Sequence, residues 1–339
     1  MSEKFLYWLK ELRQHHNNLV GKKCANLGEM TYLGLPVPPG FAISVKAYEY
    51  FLENTNSIQE IKDYLEKCDI RFENIDQLND ASLKIRQIIE SKDMPEVLKK
   101  SIYSFYDDLC QICCSNKLAV ATRSAGPVSR PGQYETYLNV KGKEDLLEKI
   151  KKVWASTFNP RSLLYRLQKG LPLESDPIGV AVLKMVKARS AGIIFTVDPN
   201  TGDYTKMILE ANWGLGESVV SGELIPDTYI VEKETLQICE KKLGAKQKYV
   251  IFREIGVIEE ETPPLKRCTY CLMDEEVIEI GKLAKVLEKH FGTPQDAEWA
   301  IEEDSYFPEN IIFLQTRPAM IRQKKSPIDQ IVDLMLRRF

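Results

Sequence analysis

Thr293-Pro294-Gln295-Asp296-Ala297-Glu298-Trp299-Ala300-Ile301, followed by Ile311-Ile312-Phe313-Leu314-Gln315-Thr316-Arg317-Pro318, is the stretch on which the rest of the chain turns. Both halves read as strands. The first alternates, with Asp296 and Glu298 on one face and Ala297 and Trp299 on the other. The second is a short apolar run that ends in Gln315, Thr316 and Arg317, and Pro318 stops it. Gln315 and Arg317 share a face. Joined as a hairpin through the polar loop Glu302–Asn310, the strands gather two carboxylates, an amide and a guanidinium. Such a cluster is expensive beside a core. A divalent cation and a polyphosphate over it would offset that cost, since Mg²⁺ prefers oxygen ligands and a guanidinium fork suits phosphate. The alternative is a solvated hairpin face with a surface ion pair, and these residues alone favour neither.

The 339 residues are enough for two domains, and a hydrophobic content of 44% supports a substantial core. Lys plus Arg number 46 against 49 Asp plus Glu, a net charge of -3, so no bulk charge drives the chain toward nucleic acid or an anionic membrane. No run is long and apolar enough to span a bilayer. Met1-Ser2-Glu3-Lys4-Phe5 carries an acid and no signal-type apolar segment, so the expected location is cytoplasmic. Eight cysteines are scattered along the chain. Cys110/Cys113 and Cys268/Cys271 have C-x-x-C spacing, but a metal site needs distant pairs to meet. The first pair lies in the helix-like Pro95–Leu118 stretch, where the spacing simply puts small hydrophobes on one face.

Upstream, Gly21-Lys22-Lys23-Cys24-Ala25-Asn26-Leu27-Gly28-Glu29-Met30 reads as a loop opening a helix. A lysine there can add its charge to the helix N-terminal field at a phosphate, or stand as a solvated surface lysine. Leu35–Phe41 is a rigid proline connector, and 47–118 reads as packing helices. In Leu118–Val140 a strand delivers Arg123 to a loop of small and hydroxyl residues, and a second strand leaves from Thr136. Arg123 can clamp an anion there, and Gly132 can permit a flap; an ordinary wide hairpin is the alternative. Pro177–Lys187 and Ala191–Pro199 look like two buried strands joined by a charged turn. The segment at Lys184, Met185 and Val186 can offer backbone groups to a purine edge, or serve as plain core. Glu210 and Glu217 are candidates for ribose hydroxyls or a metal shell.

Taken in order, these stretches resemble the N-terminal nucleotide-binding domain of the phosphoenolpyruvate synthase and pyruvate phosphate dikinase family. The likeness runs through Lys23-x-Ala25-Asn26-Leu27-Gly28-Glu29-Met30, Gly34–Phe41, Arg123-Ser124, Pro131-Gly132 and Glu135–Val140. It continues through Phe195-Thr196-Val197-Asp198-Pro199, Trp213-Gly214-Leu215-Gly216-Glu217, Pro226-Asp227-Thr228-Tyr229, Gln295–Trp299 and Leu314–Pro318. The resemblance implies an α/β (α+β) ATP-grasp fold with ATP held between two lobes, expected over 1–182 and 183–320, before an amphipathic tail at 321–339. It implies Lys23 and Arg123 as phosphate ligands and Glu298 and Gln315 as Mg²⁺ ligands. It further implies Arg317 on the transferring group, Asp296 as its acidic neighbour, Gly132–Thr136 as a flap, and an adenine-facing strand around Met185.

Two departures matter. The family's Gly-Gly-Lys-Gly or Gly-Gly-Lys-Asn motif is Gly21-Lys22-Lys23-Cys24 here, which leaves both lysines as candidates, with alignment favouring Lys23. The loop from Arg123 to Gln133 is closer in length to the dikinase than to the synthase. Full-length members also carry a phosphohistidine motif, Gly-Gly-x-x-Ser/Thr-His. None of His15, His16 and His290 sits in one. The first two fall on a charged N-terminal helix and the third ends the helix Glu275–Phe291, so all three read as structural. The expectation is therefore an ATP-binding subunit that phosphorylates a histidine on a partner subunit, which passes the group to a small phenol-type or pyruvate-like acceptor. The alternatives are a stand-alone ATP-dependent kinase and a non-catalytic ATP-sensing module.

Overall fold

The computed structural model describes residues 4–68, 75–128, 134–216, 219, 222, 224–253 and 256–321. The chain forms two compact units: Met1–Val186 with Glu254–Val257, and Lys187–Arg253 with Ile258–Phe339.

The first unit is built on a five-stranded antiparallel sheet. Its strands are β1 (Leu6–Trp8), β2 (Gly40–Ile43), β3 (Ala119–Ala125), β4 (Thr136–Lys141) and β5 (Gly179–Lys184), in the order β1-β2-β5-β3-β4. Helices α1 (Asn17–Val20) and α2 (Lys22–Tyr32) lie between the first two strands in sequence. Four more follow, α3 (Val45–Asn54), α4 (Ser57–Lys67), α5 (Ile75–Ser91) and α6 (Glu96–Ile112), as the helical periodicity of 47–118 predicts. Then come α7 (Lys143–Ala155) and α8 (Pro160–Lys169). Their starts follow from local chemistry. Ser44 accepts the Ala47 N–H at the head of α3, and Asn159 accepts the Ser162 N–H ahead of Pro160 in α8. Trp154 of α7 lies fully buried, stacked on Tyr48 of α3 at 5.0 Å, and ties these helices to one core with Phe51 and Ile150. His15 and His16 sit on a single 3-10 turn, Gln14–His16, rather than on a longer charged helix.

The second unit carries a six-stranded antiparallel sheet in the order β13-β12-β6-β7-β8-β9. Its strands are β6 (Ala188–Phe195), β7 (Lys206–Trp213), β8 (Asp227–Glu232), β9 (Ile238–Lys242), β12 (Gln295–Glu302) and β13 (Ile311–Pro318). A separate pair, β10 (Lys248–Arg253) and β11 (Gly256–Glu261), precedes the short α9 (Pro264–Arg267) and the long α10 (Asp274–Phe291). Val277, Ile280, Ala284 and Leu287 recur at helical spacing on α10 and are buried. They cover one sheet face together with Ala297, Trp299, Ile194, Leu209 and Tyr229, all fully buried.

The apolar runs read as two strands joined by a charged turn do form strands, β5 and β6, but they do not pair with each other. The first pairs with β2 and β3, the second with β12 and β7. The tail at 322–339 lies outside the described residues. No helix among those described is long and apolar enough to cross a membrane.

Candidate functional site

The hairpin β12–β13 forms as its sequence predicts. Asp296 stands opposite Arg317 and Glu298 opposite Gln315. The register then shifts, with Trp299 opposite Phe313, so Leu314 is an extra residue on β13. Such bulges re-aim side chains and end regular pairing. On its other side β12 pairs with β6, placing Glu298 opposite Ile193, and β7 follows with Glu210 opposite Ile193. Gln315, Glu298, Ile193, Glu210 and Thr228 therefore form one row across five strands. Since strand residues alternate faces, this row lies opposite the face covered by α10. The adjacent row on the same face holds Arg317, Asp296, Phe195 and Ile208.

Asp296 is 6% exposed, and one of its oxygens, Oδ2, accepts both Nε and Nη2 of Arg317 at 2.7 Å. Burial raises the Asp296 carboxyl above its ordinary range. The Arg317 charge opposes that rise, and Glu298 adds to it. The pair fixes the plane of the guanidinium while leaving part of its donor fork for another acceptor. Among the described residues no group of three or more His, Cys, Asp or Glu side chains converges as a metal cage. Glu298 and Gln315 offer one carboxylate and one amide. That donor set suits Mg²⁺, which characteristically takes one or two carboxylates and completes its octahedron with phosphate oxygens and water.

In the first unit, Gly21 caps α2 with φ of +81°, and a Cβ there would stand 1.8 Å from the Ala125 carbonyl oxygen. The Lys22 N–H donates to the Gly126 carbonyl at 2.9 Å. Only glycine permits this approach, and it brings the first turn of α2 to the end of the strand that carries Arg123. Burial pushes the Cys24 thiol up to about 12, and the charges of Lys23 and Arg123 both oppose that rise. Lys23 and Arg123 are therefore electrostatic neighbours around one buried thiol. Arg123 in turn pairs across the sheet with Thr136 of β4 and Ala181 of β5.

The expected adenine-facing segment is partly spent. The Lys184 N–H donates to Pro39 at 2.8 Å and the Met185 N–H to Ala119 at 2.9 Å. A purine edge along Lys184–Val186 would thus meet carbonyls and the next amide, that of Val186. Gly132 and Glu217 lie outside the described residues, so of the expected flap only its outgoing end, Tyr134–Thr136, is seen. There Tyr134 donates to Asp176 at 2.5 Å, and Glu135 pairs with Arg86 at 2.8 Å.

A five-stranded and a six-stranded antiparallel sheet with their helices make this an α+β chain. Residues 17–337 match the family model for the pyruvate phosphate dikinase AMP/ATP-binding domain, and the chain belongs to that family. It is 38% identical over 330 residues to a probable phosphoenolpyruvate synthase of Methanocaldococcus jannaschii, covering 95% of this chain and 27% of that one. A probable phosphoenolpyruvate synthase of Staphylothermus marinus is 37% identical, over 93% of this chain and 41% of its own. The phosphoenolpyruvate synthase of Pyrococcus furiosus is 33% identical, over 97% and 45%. The chain thus spans less than half the length of each of these relatives.

Proposed function

We propose that this chain binds ATP as its magnesium complex and carries out the first step of a dikinase-type phosphoryl transfer. The observation that carries the reading is the pairing of Asp296 with Arg317 and Glu298 with Gln315 on one sheet face. Bound Mg²⁺ would neutralise phosphate charge at Glu298 and Gln315. Lys23 and Arg123 hold phosphate oxygens, Gly132 to Thr136 close over them, and Lys184, Met185 and Val186 face the base. Glu210 and Glu217 serve the ribose or the metal shell. Arg317, oriented by Asp296, meets the charge that grows on the transferring group. Catalysis then comes from positioning and charge neutralisation rather than from a covalent step on this chain.

The phosphoryl group goes to a histidine outside residues 1–339, on a partner subunit, and from there to a small acceptor of phenol or pyruvate type. ATP leaves as AMP and phosphate. His15, His16 and His290 do not take part. This division of labour resembles that of phenylphosphate synthase.

Titration calorimetry is expected to show binding at millimolar MgATP, and no heat would remove the reading. Labelled ATP with a histidine-domain partner should give an acid-labile label on the partner. Label passing straight to a small acceptor would make the chain a self-contained kinase, and binding without any transfer a sensing module. Arg317→Lys keeps the charge and loses the fork. It should lower turnover by roughly tenfold or more while ATP affinity changes little. An equal loss in binding with turnover intact would make Arg317 a ground-state anchor.

A further inference from the structure

Every second residue of the hairpin faces away from the proposed nucleotide chemistry, and two of these back-face residues meet a third residue from the end of β6. Gln295 immediately precedes Asp296, Thr316 immediately precedes Arg317, and Thr196 follows the end of β6. They are 1%, 2% and 0% exposed. Thr316 Oγ1 donates to Gln295 Oε1 at 2.9 Å. The Gln295 backbone N–H donates to Thr196 Oγ1 at 2.9 Å, and its carbonyl accepts the Thr196 N–H at 2.9 Å. The amide Nε2 of Gln295 donates to the Thr293 carbonyl at 2.9 Å and to Thr293 Oγ1 at 3.2 Å. This fixes which end of the amide is oxygen, so Thr316 must be the donor in its bond to Gln295.

We infer that Gln295, with Thr196 and Thr316, is a positioning clasp that sets the register of Asp296 and Glu298 against Arg317 and Gln315. The inference rests on the nucleotide reading for its functional half. Its physical basis is twofold. A strand displaced by one residue sends every side chain to the opposite face, so register decides whether the acids meet their partners at all. The bulge at Leu314 interrupts regular pairing just beyond Gln315, so the ladder alone defines the end of the hairpin over only four consecutive pairs, Gln295–Pro318 to Glu298–Gln315. The clasp spans that same end and ties it to a third strand. Its buried polar atoms are mutually satisfied, so a displaced register would strand them without partners.

The test uses the full chain and four forms: wild type, Thr316→Ser, Thr316→Val and Gln295→Met. Thr316→Val preserves shape but strands Gln295 Oε1, whereas Thr316→Ser keeps the donor. The first readout is the ¹⁵N–¹H resonance of Arg317 Nε, assigned by its loss in Arg317→Lys, which reports the 2.7 Å bond to Asp296. The second is the MgATP dissociation constant. The expected result is that Thr316→Val and Gln295→Met shift or broaden the Arg317 resonance and weaken MgATP about fivefold, while Thr316→Ser restores both. If Thr316→Val lowers only the melting temperature and leaves the resonance and affinity as in wild type, the clasp is merely structural and the inference falls alone. If wild type itself binds no MgATP, the nucleotide reading falls and takes the inference with it.

Discussion

Lys246 and Asp227 are both fully buried in the second unit, and removing one of them should be severe. Lys246 Nζ bonds Asp227 Oδ1 and reaches the Gly244 carbonyl at 3.3 Å. Asp227 also accepts the Gly244 N–H at 2.8 Å and the Cys271 N–H at 2.9 Å. Lys246→Met keeps most of the side-chain length and deletes the cation. The carboxylate retains its two amide donors. What is lost is the counter-ion of a charge with no access to water. Breaking a buried pair this way costs about 3–5 kcal/mol. The retained amides hold the loss near the lower figure, about 3 kcal/mol, or roughly two decades in the local opening constant. Hydrogen exchange through a urea series would read this directly. Peptides from β7 and β8 should lose protection, with peptides from β3 and β5 of the first unit as the internal control. A loss below about 1 kcal/mol at β8 would refute the reasoning, because it would mean the carboxylate finds solvation as good as the lysine gave it.

A Cβ at Gly192 would stand 1.9 Å from the Glu210 carbonyl oxygen and 2.9 Å from Trp299. Gly192→Ala should therefore destabilise the second unit by about 2 kcal/mol or more, and an unchanged denaturation midpoint would show that the strands can part at no cost. Asp296 supplies a pH dependence. Its carboxyl is raised, chiefly by burial, against the pull of Arg317. A carboxyl raised on folding contributes stability that is full below its unfolded value, about 3.9, and is lost as pH rises through the folded value. Asp296→Asn lacks this titration, so the melting temperature of wild type relative to the variant should fall as pH rises from about 4; a difference that grows with pH would reverse the sign and the assignment.

The hairpin was legible because a period of two, a polar strand end and a terminal proline all agree on it. Its bulge was not, since nothing in Ile311–Pro318 marks Leu314 as the extra residue. The helices between 47 and 118 follow from spacing, with Tyr48, Phe51, Leu52, Ile85 and Ile89 buried, although Leu83 of the same apolar pattern faces solvent. By contrast the apolar runs of β5 and β6 do not reveal that the two strands belong to separate sheets. An unbroken apolar run says that a strand is buried on both faces, not which strand it pairs with. The engagement of the Lys184 and Met185 amides is hidden for a related reason, since Pro39 and Ala119 claim them from far along the chain. The clasp of Thr196, Gln295 and Thr316 was equally invisible, because it joins residues far apart in sequence through backbone and side-chain bonds. The neighbourhood of Lys23 and Arg123 was readable only as two separate motifs, and Gly21 is what joins them.

The strand order β1-β2-β5-β3-β4 has a consequence for synthesis. The first four strands to leave the ribosome can form only two unconnected hairpin-like pairs, β1 with β2 and β3 with β4. The strand that bonds to both β2 and β3 is β5, the last of that sheet to be translated. Until Gly179–Lys184 emerges, the inner edges of both pairs stay open, with Phe41 and Val120 lacking their sheet neighbours. The first unit is thus assembled by its final strand, as an arch is closed by its keystone. A pause in translation shortly before residue 179 would leave two sticky edges exposed, whereas a pause shortly after the exit of residue 184 would find the sheet already sealed.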